Sequence, residues 1–237
     1  MMIEEGFDVL YNEQLGSENH VYLTKRPDIP SPERDIELIS VAGRAGVLTK
    51  DNGDLKDIVI PMEFAFEGKE EDWGDHYRLI REWLLSKGNG ILKFSDDPDY
   101  FYKVKKVTIT NMERGGKTAG TITADFLCAG GQYLVEGRYE HPVSGVKWNP
   151  YYLSQPVYVI YGNGECDVEV NGNVVTAEVE NCLIIDTERM LSYMADQKLS
   201  NASISGNYED LFLRNGENRI KISYGFDVKV IPNWRRG

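Results

Sequence analysis

Histidine and cysteine are scarce in this sequence, with three of each in 237 residues. Cys128, Cys166 and Cys182 are odd in number and widely spaced, which argues against a disulfide framework and against a zinc site. Each lies in an apolar run such as DFLCAG and reads as a small buried hydrophobe. His20, His76 and His141 are far apart, and the chain has no GxSxG, no HExxH and no GxxxxGK[ST]. No apolar run approaches the roughly 18 residues that span a bilayer, so no membrane insertion is expected. The first residues, MMIEEGFDVLYNEQ, carry acids where a signal peptide carries bases, so synthesis in a cytoplasm is expected. Positive charge is also short: 26 Lys and Arg stand against 38 Asp and Glu, a net charge of -12. The basic clusters are only KVKK (Lys103 to Lys106) and Arg235-Arg236, which argues against a phosphate-binding groove.

What is present is strand periodicity with a single helical stretch. DIVIPMEFAFE (57–67) places Ile58, Ile60, Met62, Phe64 and Phe66 on one face and Glu63 and Glu67 on the other, as in a half-buried antiparallel strand. Pro61 donates no ladder bond and suggests an edge or a bulge. The stretch 70–90 is helical, with Trp73, Tyr77, Ile80 and Leu84 at three- and four-residue spacing. Asp72 suits its N-cap, Lys87 its last turn and Gly88 a left-handed C-terminal stop. In YFYKVKKVTIT (100–110) the apolar parity shifts between Val104 and Val107, which predicts a bulge or strong twist.

Between Gly130 and Pro156, Gly, Pro and aromatics mix without a period, and a domain boundary is placed there, giving domains 1–133 and 134–237. The second half reads as short strands at about ten-residue spacing, a β-sandwich or small barrel. Asn171-Gly172 is a hairpin turn. GNYEDLFLRNGENRIKISYG (206–225) holds three glycines, but its Asn215-Gly216 turn leads into the alternating Ile220, Ile222 and Tyr224 and not into a helix. It therefore reads as a hairpin, not as a dinucleotide-binding loop. The fold class expected is mainly β with one helix.

Candidate chemistry is sparse. SDDPDYF (95–101) is an Asp-Pro turn or, alternatively, a calcium site. Asp186 and Glu188, two apart in LIIDTE, could present a glycosidase-like carboxylate pair if they share one strand face. His76 on the helix is structural or catalytic. Trp148, Tyr151 and Tyr152 in KWNPYYL form either an interaction surface for sugars or partner proteins, or packing between domains. No catalytic residue, cofactor or metal is expected.

Several stretches in order carry a resemblance. In the first half these are GRAGVLTKDNGDLKDIVIPMEF (43–64), EWLLS (82–86), FSDDPDYFYKVKKV (94–107) and FLCAGGQY (126–133). In the second they are VNGNVV (170–175), IIDTE (184–188), LFLRNGENRIKI (211–222) and IPNWRRG (231–237). Together they resemble the distal tail proteins of long, non-contractile-tailed phages and prophages of Gram-positive bacteria. Gly43-Arg44-Ala45-Gly46 departs from the family's Gly-Arg-Asp-Gly, which removes any carboxylate role at that turn. The resemblance implies an N-terminal β-sandwich with one flanking helix, related to tail-tube proteins, forming a ring of six. It implies a C-terminal galectin-like or related β-sandwich that projects outward and supports receptor-binding or adhesion components. The ring would join the tail tube to the tail-tip hub of a virion assembled in the host bacterial cytoplasm. Residues 1–133 carry 16 basic and 24 acidic side chains and residues 134–237 carry 10 and 14, so both parts are acidic. An acidic lumen would let DNA pass without binding it. The alternative is a carbohydrate-binding adhesion module for host cell-wall glycans, resting on Trp148, Tyr151 and Tyr152.

Overall fold

A computed structural model describes residues 8–68, 73–88 and 90–237. The chain divides into two compact units, Met1–Gln132 with Gly237, and Tyr133–Arg236. Among the described residues it is mainly β with a single α-helix.

In the first unit the strands are β1 (Val9–Tyr11), β2 (Gln14–Leu15), β3 (Val21–Leu23), β4 (Arg34–Ser40), β5 (Val47–Leu55), β6 (Ile58–Glu67), β7 (Ile91–Phe94), β8 (Tyr100–Arg114) and β9 (Ala119–Cys128), with helix α1 (Trp73–Leu85) between β6 and β7. One antiparallel sheet runs in the order β2-β1-β7-β8-β9-β6-β3. The alternation seen in 57–67 sets its register. Ile58, Ile60, Met62 and Phe64 stand opposite Cys128, Phe126, Ala124 and Ile122, and all eight are buried. The apolar face thus meets an apolar face pair by pair, which is where an antiparallel sheet gains most of its side-chain energy. The sheet curls into two layers, so that Tyr11 on β1 meets Phe126 on β9 edge to face at 5.3 Å.

Pro61 lies where β6 is paired to β9 alone, because β3 covers only Phe64–Phe66 on the other side. The parity shift in β8 is a bulge between Val104 and Lys106, and a second follows between Ile109 and Asn111. Helix α1 buries Ile80, Trp83 and Leu84, while Trp73 and Tyr77 stack half-buried at 5.4 Å. Trp83 was not among the residues expected from spacing. Its indole N–H donates to the Tyr11 carbonyl at 3.2 Å and ties the helix to β1.

Two expectations for the helix end are corrected. The helix stops at Leu85, so Lys87 lies beyond its last turn. Gly88 does not take the left-handed conformation. Gly90 does, at φ 66°, and a Cβ there would sit 2.6 Å from the Val104 carbonyl oxygen. The chain reverses where it enters β7 and not at the helix terminus. Asp72, expected to cap the helix, lies outside the described residues.

The second unit is built on one long antiparallel hairpin, Val157–Val170 with Asn173–Asp186. Its turn is Asn171 (φ 56°) and Gly172 (φ 94°), the left-handed pair that a two-residue hairpin requires. Asp227–Ile231 pairs with the first long strand and Leu191–Met194 with the second. Stretches that read as separate short strands are therefore halves of two continuous ones. Gly162 and Gly164 do not end the strand, because the ladder runs on opposite Asn181 and Val179.

The hairpin reading of 206–225 is also corrected. Tyr208–Leu211 is a 3-10 turn, Gly216–Glu217 pairs with Trp148–Asn149, and Ile220–Ile222 pairs with Val168–Val170. The strand stops at Ile222, and Tyr224 stands fully exposed. The polar segment is used to bind distant chain, not to close on itself.

Candidate functional site

The aromatic segment is shaped by one buried side chain that sequence reasoning missed. Asn149 is fully buried. Its amide donates to the carbonyls of Tyr152 (2.9 Å) and Leu213 (3.1 Å), and its side-chain oxygen accepts from the Tyr151 N–H (2.9 Å). Asn215 adds a bond to the Tyr151 carbonyl at 2.7 Å. An Asn-Pro dipeptide is a turn starter, and that was the available signal for Asn149.

This turn sets out the three candidates differently. Trp148 is 64% exposed. Tyr151 and Tyr152 are half-buried against the C-terminal segment of the same unit. The Tyr151 ring lies 6.2 Å from Trp234 and 5.4 Å from the Arg236 guanidinium, and Arg235 lies 5.3 Å from the Tyr152 ring. Each tyrosine face is thus engaged by a cation, a contact worth about 0.5–1 kcal/mol at such sites. Arg235 also donates to the Leu153 carbonyl at 2.9 Å. The terminal Arg pair therefore packs on tyrosines, and Trp148 is the candidate ring that presents open surface.

The carboxylate pair is not assembled. Asp186 ends its strand, is buried, and accepts the Arg189 N–H at 3.0 Å, whereas Glu188 is exposed in the turn that follows. The two do not share a strand face. In SDDPDYF, Asp96 bonds Arg26 at 2.9 Å and Asp97 N–H bonds the Phe94 carbonyl at 3.1 Å, as in a turn. Among the described residues no group of three or more His, Cys, Asp and Glu could hold a metal. His20 and His76, distant in sequence, meet edge to face at 6.0 Å, and the Phe66 ring lies 5.7 Å from His76. The His76 ring also bonds the Asn19 carbonyl at 2.9 Å, so it ties α1 to the β2–β3 turn. No described helix is long and apolar enough to cross a membrane.

Burial pushes the Cys128 thiol up to about 12 and the Cys166 thiol up to about 11, and it raises Cys182 as well. Only the thiolate reacts readily. In native protein at pH 8, a thiol reagent should label Cys182 slowly and leave Cys128 and Cys166 unreacted. All three should react in denaturant. Fast native labelling of two or more thiols contradicts the buried positions. The same shifts set an alkaline limit. The unfolded chain releases these protons first, so stability falls as pH rises from about 9, the ordinary value, towards the raised ones.

A second feature was not read from sequence. β4 and β5 form a two-stranded sheet of their own. Ile36, Leu38, Ile39, Val41, Val47 and Leu48 are exposed on it, Leu38 at 65%. The register puts Ile36, Leu38 and Val47 on one face, and Ile39 and Leu48 on the other. An isolated hairpin is marginal in water, and one that is apolar on both faces needs partners on both.

No protein-family model matches the chain, and no curated protein matches it. Among the described residues the class the fold defines is that of a two-unit, mainly β chain with one α-helix in its first unit. Among solved structures one match is the Dit protein (gp 19.1) of phage SPP1, described as a paradigm of the hub adsorption apparatus in phages infecting Gram-positive bacteria. The TM-score is 0.65, and the match covers 95% of this chain and 98% of that one at 14% identity. The likeness at that identity is one of fold, and it runs through both units.

Proposed function

We propose that the chain is a structural component of a phage or prophage tail. Six copies form a ring that joins the tail tube to the tail-tip hub in the virion and supports receptor-binding components. The observation that carries this is the fold match to Dit, which extends over 95% of this chain and 98% of that one. The exposed apolar hairpin fits the same reading, since it suits a chain built to assemble. In this proposal residues 1–133 form the ring and residues 134–237 carry attachment. The net charge of -12 suits a lumen that passes DNA without holding it. The role is non-enzymatic and uses no cofactor. The particle is assembled in the host cytoplasm.

The exposed Trp148 favours a second reading, in which the outer unit also binds host cell-wall glycan. Negative-stain images of the concentrated chain test the first: closed rings with sixfold symmetry are expected, and open filaments or irregular aggregates count against it. Cell-wall pull-down tests the second. Binding that is lost in Trp148→Ala supports a glycan contact. Binding unchanged in Trp148→Ala, Tyr151→Ala and Tyr152→Ala removes these rings from that role.

A further inference from the structure

We propose that Asn52 is a site of self-modification. In the folded chain its side-chain amide is lost to the backbone nitrogen of Gly53, and the residue becomes aspartate or isoaspartate ahead of the other described Asn-Gly pairs.

The reaction needs only water. The Gly53 nitrogen gives up its proton and bonds to the Asn52 side-chain carbon Cγ. The Cγ–Nδ2 bond breaks, and that nitrogen leaves as ammonia. Water then opens the cyclic imide. Cleavage of the new N–Cγ bond leaves aspartate. Cleavage of the original peptide bond leaves isoaspartate, with the main chain rerouted through the side chain. Glycine favours the first step because no side chain crowds its nitrogen. What separates one Asn-Gly pair from another in a fold is the freedom of the amide to turn back on the main chain.

Asn-Gly occurs at 52–53, 89–90, 163–164, 171–172 and 215–216. Asn89 lies outside the described residues, so four pairs can be compared. Three are held. Asn171 donates from Nδ2 to Asn218 at 2.9 Å and accepts the Arg219 N–H on Oδ1 at 3.0 Å, so both ends of its amide are fixed. Asn215 donates to the Tyr151 carbonyl at 2.7 Å, and Gly216 is paired with Asn149. Asn163 accepts the Asn181 N–H at 3.0 Å, and both it and Gly164 stand in the long ladder opposite Glu180 and Val179.

Asn52 is different. β4 and β5 pair at Arg34 with Leu55 and at Ile36 with Asp51, so residues 52–54 bulge opposite Asp35 alone. Asn52 and Gly53 are both exposed, and no atom lies within 4 Å of where a Gly53 Cβ would stand. The Asn52 amide bonds only the Asp35 carboxylate, at 3.0 Å, a contact between exposed side chains that water replaces at little cost. The Gly53 N–H donates to Asp51 Oδ1 at 2.9 Å, which puts a carboxylate on the proton that has to leave. The product carboxylate replaces the donor that bonds Asp35, so an attraction across the bulge becomes a like-charge contact.

The test incubates the full chain at pH 8, in native buffer and in denaturant. Peptide mass spectrometry follows the four pairs, and enzymatic methylation of isoaspartate identifies the product. In the native chain Asn52 should react at least about tenfold faster than Asn163, Asn171 and Asn215, because these must open before they can react. In denaturant, where nothing has to open, the four rates should converge. Asp51→Ala should slow Asn52 in the native chain by about tenfold, less than the positioned base of an enzyme contributes, and should leave its rate in denaturant unchanged. Slow reaction at the other three pairs shows that this variant is still folded. Native rates that are alike at all four pairs, or slower at Asn52 than at any other, overturn the site. A native rate at Asn52 in Asp51→Ala equal to that of the parent overturns the role of the carboxylate.

Discussion

Replacing Leu84 with alanine lowers the stability of the chain by about 2–5 kcal/mol, the range for a buried leucine whose cavity cannot collapse. Leu84 is fully buried beside Ile80 and Trp83 on the inner face of α1. That face meets the most aromatic part of the core, with Trp83 6.1 Å from Tyr11 and 6.2 Å from Phe64, ring centre to ring centre. Packing between rings fixed in this way leaves little freedom to fill a void. Leu79 lies on the opposite side and is exposed, so Leu79→Ala should change stability by less than about 0.5 kcal/mol. Urea unfolding followed by tryptophan emission compares the two, because Trp83 reports on this contact. Equal effects of the two substitutions would mean that α1 does not cover the sheet as described.

The second large effect is expected at Asn149. In Asn149→Ala the carbonyls of Tyr152 and Leu213 and the Tyr151 N–H lose their partner in a buried place. The cost should be about 2–4 kcal/mol, because buried groups left unsatisfied forfeit their full hydration. Asn149→Asp separates hydrogen bonding from shape. An ionised carboxylate still accepts from Tyr151 but faces two carbonyl oxygens without a proton to offer. That variant should therefore be less stable than Asn149→Ala at pH 7. Burial raises the carboxyl pKa in the folded state, so the folded form takes up the proton first and stability recovers as pH falls towards 5. Urea midpoints at pH 7 and pH 5 give the comparison. An Asn149→Asp variant as stable as the parent at pH 7 would mean that this amide is not buried among carbonyls.

How far the fold was legible follows from where one physical rule acted alone. In β6 and β9 one face is buried and the other wet, so period-two alternation appears cleanly in Ile58 through Phe66. The β8 bulge shows as a parity slip because the face assignment has to recover after Val104. Asn171-Gly172 is legible because so few residue pairs accept positive φ twice in succession. The β4–β5 hairpin was not legible. With apolar side chains on both faces, it has no alternation to detect. The continuity of Val157–Val170 was hidden by Gly162 and Gly164, whose local signal is a break although the paired strand holds them in register. Of the candidate site, the cluster Trp148, Tyr151 and Tyr152 was visible as composition. Its capture by Asn149, Asn215 and the terminal Arg235 and Arg236 depends on contacts more than 60 residues apart, which no local pattern encodes.

The central claim is a closed ring of six. Native mass spectrometry of the full chain across a range of concentrations tests it most directly. The account predicts a species of about 161 kDa, six times the 26.9 kDa chain, with no open-ended ladder of larger ones, as a closed cyclic assembly requires. A mass of 26.9 kDa at every concentration, or a closed assembly of any other number of chains, would contradict it.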